Sequence, residues 1–160
     1  MNTKEYFSLE VDADGVQYIR CSDEVLIVPL TAEGEILLIR DYAPARSSTT
    51  LILPGGSIDL NETIQDTANR ELQEEIGYKS ERLDVLQTLH PWPKYLTANS
   101  HLVLARDLVP SNLAGDEPYE ITIEQVPFDS FEKLIEDGVL QDARAIVALF
   151  LARQFVQKNP

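Results

Sequence analysis

Three glutamates, Glu71, Glu74 and Glu75, lie close together on a segment that follows a Gly-Gly turn. On a helix, spacings of three and four residues place these carboxylates on one face, where like charges repel. A solvated helix face more often alternates its charges, whereas a bound cation would explain such a cluster. Carboxylate oxygens are hard ligands that suit Mg²⁺ or Mn²⁺ better than zinc, so the spacing predicts a divalent-metal site.

The segment that carries the glutamates has the pattern of one amphipathic helix. Asn61 fits the N-cap, Glu62 then lies in the first turn, and Gly77 is a plausible stop. The carboxylates lie beside the apolar stripe, so one side of the helix is expected to pack and the adjacent side to face a cleft. The stripe is predicted from residues that step by four: Ile64, Ala68, Leu72 and Ile76.

Strand and helix signals around this segment predict an α/β protein with a mixed sheet that is covered on both faces. Asp-Gly between the first two strands is a hairpin signal, and the third and fourth strands are also predicted to pair. The predicted strands are 6–11, 16–20, 24–30, 35–40, 49–53, 83–89, 101–105 and 120–126, and two later helices are predicted at 130–137 and 142–157.

Composition indicates one domain over residues 1–160 with a substantial core. The net charge of −14 argues against binding to nucleic acid or to an anionic membrane, and it would repel a phosphate ester at long range. The longest apolar run is too short to cross a bilayer, and no secretory signal is recognised. Cys21 is the only cysteine, so no internal disulfide can form and a cytoplasmic location is expected.

The spacing over residues 56–78 also resembles a family pattern. Gly56, five residues, Glu62, seven residues, Arg70-Glu71-Leu72, one residue, Glu74-Glu75, one residue and Gly77 resemble the Nudix box. Tyr78 follows where an aliphatic residue is usual. The resemblance implies the Nudix fold, an α/β/α sandwich with a mixed β-sheet, and a metal-dependent hydrolase.

Further segments are similar to the ADP-ribose pyrophosphatase group of this family, and most similar to its bacterial ADP compounds hydrolases. They are LLIRDYAPAR before the box, HPWPKYLTANS and LAGDEP after it, and DARAIVALFLARQF near the end. Pro93, about fifteen residues beyond the box, stands where a proline is associated with ADP-ribose specificity. The resemblance also implies a homodimer, although the N-terminal β arm, 1–20, is short for the strands that some relatives use to pair.

The resemblance assigns metal ligands within the box. Glu71 and Glu75 would be the main ligands, and Glu74 would help to hold a second ion. The carbonyl group of Gly56, or of its neighbour Gly55, would complete the coordination.

It also assigns supporting and catalytic roles. Arg70 would orient a glutamate, since it can reach Glu74 four residues on, and Glu62 would support the box by pairing or through water. Relatives carry the general base on a late acidic loop, which corresponds here to residues 112–120. Glu117 is the first candidate for the base and Glu120 the second.

Substrate contacts are expected from the few cations and from aromatic rings. Arg40 and Arg46, with Lys94, are candidates for the substrate phosphates, although each could be an ordinary surface charge. An adenine could stack on Tyr95, or on Tyr42 or Trp92, but aromatic rings in strand-edge positions are more often core residues.

The implied function is Mg²⁺-dependent hydrolysis of the diphosphate linkage of an ADP-containing nucleotide, with release of AMP. ADP-ribose is the first candidate substrate, followed by NADH and short diadenosine polyphosphates. Two alternatives stay open. One is hydrolysis of another nucleoside diphosphate derivative, a sugar nucleotide or a nucleoside triphosphate; the other is a non-catalytic module that binds ADP-ribose.

Overall fold

The computed structural model describes residues 7–115 and 118–159. Nine strands are present in this part of the chain: β1 Phe7–Val11, β2 Gln17–Cys21, β3 Glu24–Pro29, β4 Glu35–Ala43, β5 Ser48–Ile52, β6 Gly55–Ser57, β7 Tyr78–Leu89, β8 Ser100–Pro110 and β9 Thr122–Pro127. The helices are α1 Ile64–Glu71, which continues into a π-helical turn over Leu72–Ile76, α2 Glu132–Glu136 and α3 Ala143–Lys158. Short 3₁₀ turns cover Pro44–Arg46 and Phe128–Ser130.

The strands form two central sheets and a separate hairpin. A mixed four-stranded sheet has the order β6-β3-β8-β7, in which β3 and β8 run parallel and the other pairs are antiparallel. An antiparallel three-stranded sheet has the order β5-β4-β9. The hairpin of β1 and β2 pairs only with itself as a ladder, which agrees with the Asp-Gly turn signal.

Alternate residues of the central strands enter two separate cores. Val25 and Ile27 of β3 pack with the stripe of α1, whereas Leu26 and Val28 pack with α3. Because successive side chains of a strand point to opposite faces, one helix covers each face of the sheets. The predicted three-layer α/β/α arrangement with a mixed sheet is therefore confirmed.

The predicted pairing of the third and fourth strands is wrong. β3 and β4 belong to different sheets, and only an isolated bridge between Leu30 and Ile36 joins them. β3 pairs instead with β6 and β8, because its apolar residues need burial on both faces and a central position supplies it.

The start of the box helix also differs from the prediction. Thr63, rather than Asn61, is the N-cap, because Thr63 and Asp66 form a reciprocal capping box. Asn61 has a positive φ of 71° and stays in the preceding turn. Glu62 therefore lies outside the helix, where its side chain can reach the helix laterally. The predicted stop is confirmed, since Gly77 has a φ of 74°.

Candidate active site

Arg70 is the centre of the acidic cluster that the box creates. Its Nε donates to Glu62 at 3.0 Å, and its Nη1 donates to Glu71 at 2.7 Å and to Glu74 at 3.1 Å. Its Nη2 donates to Glu62 and to the carbonyl oxygen of Ser57, each at 3.1 Å. The predicted contact between Arg70 and Glu74 is present, and Glu62 pairs with Arg70 directly.

The glycines of the turn bring backbone close to two of the glutamates. A Cβ atom added at Gly56 would overlap the carboxylate of Glu71, which is only 7% exposed. The Gly55 N–H donates to the carboxylate of Glu75 at 2.8 Å, Gly55 has a φ of 153°, and a Cβ atom added there would overlap the carbonyl oxygen of Val25. A side chain at Gly55 would displace strand β3, and one at Gly56 would displace the Glu71 carboxylate. Glycine is therefore required at both positions for the turn to pack this closely.

A π-helical turn carries Glu74 and Glu75. The Gly77 N–H donates to the Leu72 carbonyl, which closes a turn one residue wider than an α-helical turn. Turns of this kind are common at functional sites because they change the direction of side chains within an otherwise regular helix. Apolar periodicity alone predicted an unbroken helix here.

Charge is unbalanced in this cluster. Three glutamates, Glu62, Glu71 and Glu74, share the Arg70 guanidinium and are partly or fully buried, and the fourth, Glu75, accepts from the Gly55 N–H. The hydrogen bond from Arg70 is the main reason that the pKa of Glu62 falls to about 2, against the opposing effect of burial. By formal charge, the carboxylates of this cluster outnumber its single guanidinium.

The donor set fits a divalent cation by its chemistry. All of the clustered side chains offer hard carboxylate oxygens, and the excess negative charge would be neutralised by a dication. In their present rotamers, no group of three or more His, Cys, Asp or Glu side chains within residues 7–115 and 118–159 could hold a metal ion by itself. Arg70 and the Gly55 N–H engage these oxygens instead. The individual ligand assignments therefore stay predictions.

The loop predicted to carry the general base begins against the box helix. Ser111 Oγ donates to the side chain of Gln73 at 2.8 Å, and the Leu113 N–H donates to the Gln73 carbonyl at 3.2 Å. A methyl group at Gly115 would lie 3.4 Å from the Glu74 carbonyl oxygen. Glu120, at the other end of the loop, is exposed. The first candidate, Glu117, lies outside the described residues.

Arg40 and Arg46 share a cavity of about 540 Å³ whose lining also includes Arg144, Thr50 and Gln141. Arg40 lies on β4 and is already paired with Glu124 of β9 at 2.7 Å. Arg46 ends the exposed 3₁₀ turn. None of the box glutamates lines this cavity, so the two arginines are grouped with each other but are separate from the acidic cluster.

A second cavity, of about 720 Å³, adjoins it, since Asp142 and Arg144 line both. Its wall includes Trp92 and Ser57. Tyr95 is not among its lining residues; the Tyr95 ring instead packs edge-on against Trp92, with a centroid distance of 5.1 Å.

A polar cluster that includes three lining residues of that cavity, Glu24, Asp142 and Arg144, was not predicted from the sequence. Arg144 donates to Glu24 at 2.6 Å and to Asp142 at 2.8 Å, and the Ser100 hydroxyl donates to the same oxygen of Glu24. The only sequence signal was the acidic residue before the last helix, because Asp142 caps α3 by accepting from the Ala145 N–H at 2.9 Å.

The NUDIX domain model matches residues 22–150, so the chain belongs to the NUDIX family and is a Nudix hydrolase. Among its relatives is the ADP compounds hydrolase NudE of Escherichia coli (strain K12). The two are 36% identical over 135 residues, which cover 84% of this chain and 72% of that protein. The ADP-ribose pyrophosphatase of Bacillus subtilis (strain 168) is 26% identical over 127 residues, which cover 78% and 69% of the two chains.

The fold matches a solved structure of the same kind. A crystal structure of an ADP compounds hydrolase superposes with a TM-score of 0.84 at 32% identity, covering 99% of this chain and 91% of that one. The resemblance to the Nudix family, and within it to the ADP compounds hydrolases, is therefore confirmed. No helix in the described part of the chain has the length and apolar character that crossing a bilayer would need.

Proposed function

We propose that this Nudix hydrolase cleaves the diphosphate linkage of ADP-containing nucleotides and releases AMP. ADP-ribose is the first expected substrate, and NADH and short diadenosine polyphosphates are others. The observation that carries the proposal is the cluster of four glutamates around Arg70, a net negative site built beside a glycine turn. The similarity to an ADP compounds hydrolase and to an ADP-ribose pyrophosphatase supports the choice of ADP compounds.

The proposed cofactor is Mg²⁺, with Mn²⁺ as an alternative. Glu71 and Glu75 would be its main ligands, Glu74 would help to hold a second ion, and the Gly56 carbonyl would contribute a further oxygen. When bound, the ion would neutralise charge on the phosphoryl oxygens and lower the pKa of a bound water.

The residues of the chain would position this chemistry. Arg70 holds Glu71 and Glu74 by hydrogen bonds, so their carboxylates are oriented before the substrate arrives. Water would attack one phosphorus of ADP-ribose, the bond from that phosphorus to the bridging oxygen would break, and AMP and ribose 5-phosphate would leave. Glu117, or Glu120 as the second candidate, would accept the proton of the attacking water, on a loop that starts against Gln73.

Arg40 and Arg46 would hold the part of the substrate that extends away from the acidic cluster. Because the chain has a net charge of −14, cations placed in one cavity would offset the repulsion of an anionic substrate locally. Tyr95 would act on the substrate only through Trp92, against which its ring packs.

A substrate panel tests the proposal. ADP-ribose, NADH, a diadenosine polyphosphate, GDP-mannose and a nucleoside triphosphate are incubated with the protein and Mg²⁺, and the products are separated by chromatography. We expect AMP from the ADP compounds. Turnover of GDP-mannose or the triphosphate alone would overturn the substrate assignment, and tight binding of ADP-ribose without turnover would identify a binding module.

We also propose a cytoplasmic homodimer in which residues 1–160 form one domain. Phe7, Leu9 and Val11 alternate along β1, and 71%, 67% and 59% of their surfaces are exposed, which leaves an apolar face for a second copy. The single cysteine supports the cytoplasmic location. Sedimentation should give a dimer that Leu9→Glu converts to a monomer; a monomeric wild-type protein would refute the dimer.

A further inference from the structure

We propose that Gln73 is a positioning residue that holds the loop of the candidate general base, residues 112–120, in a fixed place relative to the box glutamates. This inference rests on the proposed function, because that function gives the loop a general base and the glutamates a metal. Gln73 lies directly before Glu74 and Glu75, at a position that the Nudix pattern leaves free. Its contacts, rather than that pattern, carry the inference.

The π-helical turn leaves the Gln73 carbonyl available to the loop. In a regular α-helix, the Gly77 N–H would donate to that carbonyl, four residues earlier. Here it donates to the Leu72 carbonyl, and the Gln73 carbonyl accepts from the Leu113 N–H at 3.2 Å. The Gly77 carbonyl in turn accepts from the Ser111 N–H at 3.0 Å. The wider turn therefore connects the backbone of the box to the start of the loop.

The Gln73 side chain makes a further connection and is itself held in place. Its Oε1 accepts from the Ser111 hydroxyl at 2.8 Å, and its Nε2 donates to the Asn69 carbonyl at 2.7 Å. The Asn69 side chain accepts in turn from the N–H of Ser80, a buried residue of β7, at 2.8 Å. Because both ends of the Gln73 amide are engaged, its orientation is fixed, and the Ser111 hydroxyl is fixed with it.

Beyond Leu113, the loop passes close to a proposed metal ligand. A Cβ atom added at Gly115 would lie 3.4 Å from the Glu74 carbonyl oxygen and 3.8 Å from the Glu74 Cβ. The carboxylate of Glu74 accepts from Arg70 at 3.1 Å. The same helical turn thus carries the carboxylates and anchors the loop, so a shift of the anchor would move the loop relative to the carboxylates.

The other end of the loop is held by an aromatic contact. The ring of Tyr119 packs against Tyr42 of β4 with a centroid distance of 4.7 Å and an interplanar angle of 57°. Aromatic pairs at such distances add to the stabilisation that burial provides. Tyr42, one of the rings considered above for stacking on adenine, therefore contacts the loop beside Glu120.

Little burial supports the loop between these two contacts. Leu113 and Tyr119, its large apolar side chains, are 44% and 47% exposed. Hydrogen bonds from Gln73 are therefore expected to provide much of the anchoring at the start of the loop. A general base acts only within hydrogen-bond reach of the attacking water, and a misplacement of about 1 Å can reduce a rate by about a hundredfold.

Kinetics of ADP-ribose hydrolysis test this role. Gln73→Leu removes the side-chain hydrogen bonds and should lower kcat about tenfold with KM changed by less than about twofold, because these bonds hold the base rather than the substrate. Ser111→Ala should cause a similar loss, whereas Ser111→Thr keeps the hydroxyl and should retain most of kcat. The matched control is Gln65→Leu, on the exposed side of the same helix, which should leave kcat unchanged.

A variant without the candidate bases separates positioning from a purely structural effect. In Glu117→Gln/Glu120→Gln, the addition of Gln73→Leu should cause no further loss of kcat, because the residue that it positions is already absent. The Mg²⁺ concentration for half-maximal activity should be the same in Gln73→Leu and the wild type. A further tenfold loss in that background, or weaker activation by Mg²⁺, would overturn the inference, since Gln73 would then act through the metal ligands.

Hydrogen exchange tests the anchor without a substrate. Gln73→Leu in the full-length protein should speed amide exchange in peptides that cover residues 111–115, whereas Gln65→Leu should not. Unchanged exchange in Gln73→Leu would overturn the inference. If exchange rises but the wild type hydrolyses no nucleotide, the proposed function fails and the anchor stands. If the wild type hydrolyses ADP-ribose and Gln73→Leu is equally active, the positioning role fails and the proposed function stands.

Discussion

Arg70 and Arg144 both lie among carboxylates, but their surroundings differ in charge balance. Arg144 bonds two carboxylates, and each has a further role in the fold, because Asp142 caps α3 and Glu24 accepts from Ser100. Arg70 bonds three glutamates, with a fourth held nearby by the Gly55 N–H. The first cluster has one carboxylate more than its single guanidinium can neutralise, whereas the second has three more.

The difference separates a structural cluster from a candidate catalytic one. A fold gains nothing from surplus buried carboxylates, since each carries a desolvation cost that only a counter-charge offsets. The surplus around Arg70 is accounted for if a cation completes the site during function. Substitutions in the two clusters should therefore have different consequences.

The largest expected effect is on activity. Glu71→Gln keeps the shape of the side chain but removes one proposed ligand, so kcat for ADP-ribose should fall by about a thousandfold while the fold is retained. Glu24→Gln, the matched change beside Arg144, should lose far less. Steady-state rates of AMP release measure kcat in both variants. Equal losses of kcat would contradict the distinction between the two clusters.

The next effect is on stability. Arg70→Met leaves partly exposed carboxylates without their cation and should lower the free energy of unfolding by about 2 kcal/mol, below the roughly 3–5 kcal/mol seen for fully buried pairs. Mg²⁺ should restore part of the loss, because a ligand that binds the folded state raises Tm. Arg144→Met should also destabilise the protein, but Mg²⁺ should raise the Tm of this variant only as much as it raises the Tm of the wild type. Thermal unfolding with and without Mg²⁺ measures both; identical responses would contradict the comparison.

A smaller effect is expected at the cap of α3. Asp142→Ala removes the acceptor for the Ala145 N–H and should cost about 1 kcal/mol of unfolding free energy. Asp142→Asn can still accept that hydrogen bond and should lose less. Denaturant titrations would show this difference, and equal losses would mean that the ion pair with Arg144, rather than the cap, stabilises the helix.

The smallest effect is on the pH dependence of stability. The pKa of Glu62 is lowered from 4.5 to about 2, chiefly by Arg70, so Glu62 stabilises the fold above its unfolded pKa. That contribution is lost as the pH falls from about 4.5 through about 2. Glu62→Gln should therefore show a shallower loss of stability in this window. A slope equal to that of the wild type would refute the assignment.

The stability that Asp142 contributes in the Arg144 cluster should also fall as the pH is lowered. Burial raises its pKa, but hydrogen bonds from Arg144 and the Ala145 N–H outweigh that effect, and the net pKa is lowered from 3.8. The stability it contributes is present above pH 3.8 and is lost as the pH falls below that value. Acid titration of Asp142→Asn by circular dichroism should show the smaller loss, and an unchanged acid transition would count against it.

Local patterns in the sequence were sufficient to predict most features of the box helix. The stripe of Ala68, Leu72 and Ile76 is buried, Gly77 ends the helix, and the reach of Arg70 to Glu74 follows from helical spacing. The N-cap was misplaced because Asn61 and Thr63 are both good caps, and the reciprocal bond with Asp66 decides between them.

Contacts between residues far apart in the sequence could not be predicted from local patterns. Glu24 meets Ser100 and Arg144, which are 76 and 120 residues away along the chain, and no local pattern records those separations. The pairing of β3 with β8 is equally remote, whereas the hairpin pattern favoured its neighbour β4. The cavity under Trp92 arises from such contacts, so its lining could not be predicted from sequence.

The most direct test of the central claim is AMP release from ADP-ribose by the wild-type protein with Mg²⁺, with a chelator, and after Mg²⁺ is restored, beside Glu71→Gln and Glu75→Gln. We predict release that the chelator abolishes and Mg²⁺ recovers, with both variants inactive under every condition. Full activity in the chelator, or wild-type rates in both variants, would contradict the view that the surplus carboxylates around Arg70 form the catalytic metal site.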